Sequence, residues 1–221
     1  MTTTVRIALI HAVYVAMAPV ERAFVELWPE VRRTNLIDDS LAPDLESSGH
    51  LTPALHDRID RLARYAIDTG AAGVLFTCSA FGEAIQAAAR TAAVPVLRPN
   101  EAMFDAALAA GNRIGMLATF APAVASMEQE FFQMARAKGV DAELETLCVP
   151  EAMSVARAGD IERHNELVAQ AASRLSHCDA LLLAHFSTST ALQAVRSRVD
   201  VPVHCAPQAA IASLKRRLAG A

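Results

Sequence analysis

A cysteine at the end of a short apolar run is the residue whose position most suggests chemistry. Cys78 follows the run 74–77 and precedes a turn of small residues and an alanine-rich helical pattern over 83–91. In such a strand, turn and helix, free backbone N–H groups and the positive helix end favour a thiolate and can hold a carboxylate. We therefore take Cys78 as the candidate catalytic group. The alternative is a free cysteine that only fills space in the core.

An internal repeat places a histidine at the position equivalent to this cysteine. Segment 113–118 matches 6–11 at a spacing of 107 residues (113 minus 6), and 179–184 matches 72–77 at the same spacing. The same spacing leads from Cys78 to His185. Imidazole transfers protons near neutral pH. The repeat therefore predicts that Cys78 and His185 face each other as catalytic residues.

The elements that must position these two residues follow from the hydrophobic pattern. Buried strands are predicted at 5–12, 34–37, 74–77 and 94–97, and helices at 19–28, 55–67 and 83–91. Apolar strands joined by helical crossovers indicate parallel sheets. The segments 40–50 and 120–126 are predicted to be specificity loops, and the turn-rich part 38–44 could form a lid.

These patterns predict an α/β protein of two similar lobes related by a pseudo-twofold axis. Each lobe would hold a parallel four-stranded sheet flanked by helices, with the active site in the cleft between the lobes. We expect the first lobe over residues 1–98, with a C-terminal helix 206–221 packing back on it, and the second lobe over 99–205. His11 and Thr119 end the first strand of each half, and we expect them to line the same cleft.

Composition excludes several other classes of protein. The chain has 221 residues, 53% of them hydrophobic, and a formal net charge of -4 with its basic residues spread out, so nucleic acid is not an expected partner. No apolar stretch reaches the length of a membrane span. The four cysteines are far apart in the sequence, which favours a reducing cytoplasm over a disulfide framework.

Metal and cofactor chemistry are also not predicted. The pairs His177–Cys178 and His204–Cys205 have no third ligand nearby in sequence, so we expect no metal site. The chain has no dinucleotide-binding or nucleotide-binding glycine motif, and its two lysines are poorly placed for a pyridoxal Schiff base. We therefore expect a reaction without a cofactor.

Together with the repeat, the motif Thr77-Cys78-Ser79 resembles the aspartate/glutamate racemase superfamily, which includes hydantoin racemases, maleate isomerases and arylmalonate decarboxylases. The stretches 36–41, 76–82 and 96–102 are similar to a branch of that family, and 115–119 is similar to the opening of its second lobe. The resemblance implies proton transfer at the carbon next to a carboxylate, between two cysteines on opposite faces of the substrate. Cys78 matches the first cysteine, whereas His185 stands at the second.

The resemblance also implies that the substrate carboxylate is held by groups that follow each catalytic position. These are Ser79 and Ala80 in the first half and Ser187 and Thr188 in the second. We therefore expect a racemase or isomerase acting on an amino acid or a related carboxylate, and a homodimer. Two alternatives stay open. One is an arylmalonate-type decarboxylase with a single catalytic cysteine, and the other is a non-catalytic protein that binds small carboxylates.

Overall fold

The computed structural model describes residues 5–220 and contains two four-stranded parallel sheets. The first has the order β2-β1-β3-β4, with β1 at Arg6–His11, β2 at Arg32–Ile37, β3 at Gly73–Phe76 and β4 at Val96–Leu97. The second has the order β6-β5-β7-β8, with β5 at Arg113–Ala118, β6 at Glu143–Cys148, β7 at Ala180–Leu183 and β8 at Val203–Cys205. The predicted two-lobed α/β fold is confirmed. Residues 1–4 and 221, which the predicted lobe bounds include, lie outside the described part.

Ten α-helices connect and cover the strands of the described part. They are α1 Met17–Leu27, α2 Leu41–Ser48, α3 Pro53–Asp68, α4 Gly82–Thr91, α5 Glu101–Ala110, α6 Val124–Ala137, α7 Pro150–Arg157, α8 Ile161–Ala172, α9 Leu192–Arg196 and α10 Ala206–Ala219. Local sequence explains several of these boundaries. Thr52 caps α3 by accepting a hydrogen bond from the Leu55 N–H, and Asp160 caps α8 in the same way through Arg163.

The two segments predicted to be specificity loops are largely helical. Helix α2 forms within 40–50 because Leu41, Ala42 and Leu45 are buried, and it ends at Gly49, whose φ of 69° is the left-handed conformation that favours glycine. The segment 120–126 holds a 3₁₀ turn, Ala121–Ala123, and the start of α6. The loop predictions are therefore wrong, and in 40–50 the reason is that buried apolar side chains outweighed the polar turn signals.

The last helix crosses from the second lobe to the first. Helix α10 contacts α1, α5 and β3. Gly73 in β3 leaves room for this contact, because a Cβ there would lie 3.0 Å from the Leu214 side chain. One cluster of buried apolar residues includes both β1 and β5, so the two lobes share a core. None of the helices within residues 5–220 is long and apolar enough to cross a membrane.

Candidate active site

Cys78 lies where the first sheet ends at the cleft. Strand β3 stops at Phe76, Cys78 keeps an extended backbone, and a 3₁₀ turn at Ser79–Phe81 leads into α4. The backbone N–H of Ala80 donates a hydrogen bond to the Cys78 sulfur. This turn explains why small residues follow the cysteine, since Ser79 and Ala80 are themselves buried.

The Cys78 thiol is protonated at neutral pH in this structure. Although the residue keeps some exposed surface, burial raises the pKa of the thiol to about 11, and the hydrogen bond from Ala80 only partly offsets this effect. The prediction that the helix end favours a thiolate is therefore wrong for this conformation. The reason is desolvation by residues from both lobes, which the sequence around Cys78 does not show.

His185 occupies the equivalent position in the second lobe. It follows β7 and precedes a 3₁₀ turn at Ser187–Ala191, and only 7% of its surface is exposed. Its Nδ1 lies 2.9 Å from the Ser79 hydroxyl, and its Nε2 accepts a hydrogen bond of 3.3 Å from the Phe120 backbone N–H. Because Nε2 accepts, the neutral ring carries its proton on Nδ1, which donates to Ser79.

The His185 imidazole is neutral over the physiological pH range. Burial, together with a smaller effect of the nearby His164, lowers its pKa to about 4. Both ring nitrogens are engaged, one across the cleft with Ser79 and one within its own lobe with Phe120. His185 therefore does not form a thiolate–imidazolium pair with Cys78 in this structure.

Cys78 and His185 line one small cavity between the lobes. Its volume is about 30 Å³, far below the ~300 Å³ or more of typical ligand pockets. The lobes must therefore separate to admit a substrate. The wall is mostly apolar and is formed by Val13, Ala16, Ala42, Thr77, Cys78, Ser79, Phe120, Met153, Arg157, His185, Phe186 and Ser187.

The weaker candidates from the sequence lie behind this wall. His11 is fully buried, and its ring nitrogens contact Thr77 at 2.9 Å and Asn35 at 2.8 Å. Burial lowers the pKa of His11, so its neutral ring supports Thr77, the residue before Cys78.

Thr119 and Thr188 are buried and their hydroxyls lie 3.4 Å apart. Ser79 and Ser187 reach the cavity directly, whereas Ala80 contributes through its N–H.

Arg157 is the main cavity residue that sequence reasoning missed. It ends α7, its guanidinium lies over the Phe120 ring at 5.8 Å, and it pairs with Glu46 of α2 at 3.8 Å. The repeat contained a signal for it, because β2 and β6 are 111 residues apart (143 minus 32) and this spacing relates Glu46 to Arg157 and Ala42 to Met153. Helices α2 and α7 are thus equivalent elements that cover the cleft from both lobes.

An outer hollow adjoins the inner cavity beside this pair. It has a volume of about 290 Å³ and includes Tyr14, Asp39 and Glu46. Val13, Ala42 and Arg157 belong to both spaces. Separation of α2 from α7 would therefore join the two into one entrance to Cys78.

A buried carboxyl group lies behind the segment that carries Cys78. Glu130 of α6 is 4% exposed, and its carboxylate faces Arg98 of the first lobe at 3.3 Å and lies close to Gly82 at the start of α4. Burial raises the pKa of Glu130 to about 7, while the charge of Arg98 lowers it in part. This pair links the two lobes at the base of the helix that follows Cys78.

The chain is thus an α/β protein built from two duplicated parallel-sheet lobes. A thiol from one lobe and an imidazole from the other line a shared cavity between them. The family model for Asp/Glu/Hydantoin racemase matches residues 19–175. The chain belongs to this family, as its resemblance predicted. No curated protein sequence matches the chain.

Solved structures of several racemases share the fold. An aspartate racemase from Picrophilus torridus is 14% identical over 97% of this chain and 94% of its own, with a TM-score of 0.75. An allantoin racemase from Klebsiella pneumoniae is 17% identical over 98% and 88%, with a TM-score of 0.73. A mutant of arylmalonate decarboxylase is 18% identical over 97% and 94%, with a TM-score of 0.65. At these identities the likeness concerns the fold.

Proposed function

We propose that the protein is a cofactor-independent racemase or isomerase that moves a proton at the carbon next to a carboxylate, with Cys78 and His185 as its acid–base groups. The observation that carries this proposal is that both residues, at equivalent strand ends of different lobes, line one small and mostly apolar cavity. The α-carbon of a substrate between them can lose its proton on one face, and the planar enolate that results can regain a proton on the opposite face.

In one direction of this scheme the neutral Nε2 of His185 removes the α-proton, and Cys78 acts as the proton donor on the other face. Its protonated thiol can deliver a proton to a carbanion, and the resulting thiolate is stabilised by the N–H of Ala80. In the reverse direction the thiolate removes the α-proton. The mostly apolar wall of the cavity would strengthen these interactions once the lobes close over a substrate and exclude water.

His185 acts through Nε2 in this scheme. The Nε2 contact with the Phe120 N–H is 3.3 Å, longer than the 2.9 Å contact between Nδ1 and Ser79, so it is the easier one to release. The Phe120 N–H then becomes free to donate to the substrate carboxylate, while Ser79 keeps the ring oriented. A ring with a pKa of about 4 is a weak base, and its protonated form is a strong acid.

The substrate carboxylate is proposed to bind to groups on both lobes. Ser187 lines the cavity, and Arg157 offers the cation that an anionic substrate needs at the entrance. Thr119 and Thr188 would hold the turn that carries Ser187, and His11 would hold Thr77. We therefore propose direct contacts for Ser79, Ser187 and Arg157, and supporting roles for His11, Thr119 and Thr188.

A decarboxylase is the second candidate, and the engagement of both His185 nitrogens favours it. A reaction with a single thiol needs no second acid–base group. The bond between the α-carbon and a carboxylate would break, its electrons would form an enolate, and carbon dioxide would leave. The Cys78 thiol would then protonate the α-carbon, and the thiolate would recover a proton from water.

Proton NMR in deuterated water on a panel of chiral α-substituted carboxylates, hydantoins and arylmalonates tests both reactions. The wild type is compared with Cys78→Ala and His185→Gln. For a racemase, loss of the α-proton signal and of optical purity depends on both residues. For a decarboxylase, release of carbon dioxide depends on Cys78 alone. Binding of panel members without exchange or decarboxylation would refute catalysis and leave a carboxylate-binding protein.

We also propose that the enzyme works in the cytoplasm as a homodimer. Widely spaced free cysteines suit a reducing compartment, and dimers are the commonest assemblies of compact enzymes. Light scattering of the purified chain measures the assembly directly, and a monomeric mass at assay concentration would refute the dimer.

A further inference from the structure

We propose that Glu145, His177 and Cys178 form a binding site for one divalent transition-metal ion, with zinc as the best match. Glu145 lies in the edge strand β6, and the other two residues come directly before β7. The central strand β5 runs between these elements. None of the three residues lines the cavity at Cys78, so this site is separate from the proposed reaction.

The three ligand atoms are already close together. One donor atom from each residue lies within 4.8 Å of the other two, and His177 Nε2 is 3.0 Å from Glu145 Oε2. In tetrahedral zinc sites with bonds of about 2.0 to 2.3 Å, ligand atoms lie roughly 3.3 to 3.7 Å apart. The sulfur therefore has to approach the other two by only about 1 Å, which a turn before a strand can accommodate.

The set of donors selects the metal. A thiolate, an imidazole and a carboxylate suit zinc and related transition metals, whereas calcium and magnesium prefer oxygen ligands alone. Three protein ligands leave a fourth position for water. The neighbouring Asp179 does not compete for the ion, because its carboxylate accepts hydrogen bonds from Arg113 and from the backbone N–H of Asn112.

The solvent exposure of two of the ligands and the burial of the third also fit a metal site. The Glu145 and His177 side chains are 51% and 56% exposed, so an ion can enter from solvent. Cys178 is buried among apolar residues, and its sulfur lies within 4.8 Å of the other two ligand atoms. The sequence predicted no metal site because His177 and Cys178 have no third ligand nearby in sequence. The fold brings Glu145, which is 32 residues from His177, into contact with them. A bound ion would connect the edge strand β6 to the start of β7 across β5.

Metal titration of the full chain, purified without a polyhistidine tag and stripped with a chelator, tests this site. One equivalent of cobalt should bind and give a thiolate-to-cobalt absorption band. Zinc at about a hundredfold excess over its Kd should raise the Tm by roughly 5 to 10 °C. Glu145→Gln and His177→Gln change exposed side chains and should each weaken binding at least tenfold. Cys178→Ser should remove the band.

Cys148→Ser is the matched control, because Cys148 is an exposed cysteine at the end of β6, the strand that carries Glu145. This variant should bind cobalt as the wild type does. Binding that is unchanged in Glu145→Gln and His177→Gln, a band lost with Cys148 instead of Cys178, or no binding at all would overturn the proposal. If Cys178→Ser fails to fold, the two exposed variants still decide the outcome.

Discussion

The pH dependence of Cys78 gives the sharpest test of the reasoning about the active site. Burial raises the pKa of the thiol from an ordinary value of 9.0 to about 11. At pH 8 the thiolate fraction is then roughly 100-fold below that of an unperturbed thiol. A thiolate of higher pKa is more nucleophilic by about six- to tenfold. Alkylation of Cys78 at pH 8 should therefore be about ten times slower than for a peptide thiol, before any effect of access.

The assay is iodoacetamide alkylation from pH 7 to 11.5, followed by mass spectrometry of the peptide that contains Cys78. The shape of the rate profile reports the pKa, because access to the cavity scales all rates but does not move the midpoint. The rate should rise about tenfold per pH unit until pH 11. A midpoint at or below pH 8 would refute the conclusion that desolvation dominates over the Ala80 N–H.

The same pKa separates the two candidate reactions once a substrate is known. The pH profile of kcat/KM reports the acid–base groups of the free enzyme. A racemase must use Cys78 as the base for one of the two enantiomers, so kcat/KM for that enantiomer should rise with pH toward 11. If the Cys78 thiol only donates a proton after decarboxylation, kcat/KM should be level and fall near pH 11. A profile of neither shape would remove Cys78 from the rate-determining proton transfer.

Three further predictions follow from the buried polar groups and the entrance. Burial raises the pKa of Glu130 from 4.5 to about 7, so between these pH values the folded protein keeps a proton that the unfolded chain releases. The contribution of Glu130 to stability is therefore complete below pH 4.5 and is lost, by up to about 3 kcal/mol, as pH rises through 7. Urea unfolding between pH 5 and 8 should show the wild type losing roughly 2.5 kcal/mol more than Glu130→Gln, and parallel curves would contradict this. Ser79→Ala leaves the Nδ1–H of His185 without its partner in a buried site and should cost about 1 to 3 kcal/mol in the free energy of unfolding, whereas a change within error would mean that the ring finds another acceptor. Arg157→Gln breaks a half-exposed ion pair, so stability should change by less than about 1 kcal/mol, while the KM for a carboxylate substrate should rise at least about tenfold, and an unchanged KM would exclude Arg157 from substrate binding.

The sequence alone determined the architecture and the two central residues. Strands such as β1 and β3 are buried and therefore need continuous apolar runs. Each such run can be recognised in its own segment of the sequence. The duplication preserved their spacing, so the equivalence of Cys78 and His185 could be predicted by counting residues. The helix α2 was missed because its polar turn residues hid the buried face of Leu41, Ala42 and Leu45.

Only the tertiary structure decided the chemical state of the site. The protonated thiol of Cys78 and the neutral ring of His185 both arise from desolvation in a cavity lined by both lobes, and the hydrogen bond to Ser79, 106 positions away in sequence, orients the ring. The entrance at Arg157 and the three proposed metal ligands around Cys178 depend likewise on side chains that meet only after folding. Burial and the geometry of polar partners are properties of assembled elements, so no local pattern of residue types could have predicted them.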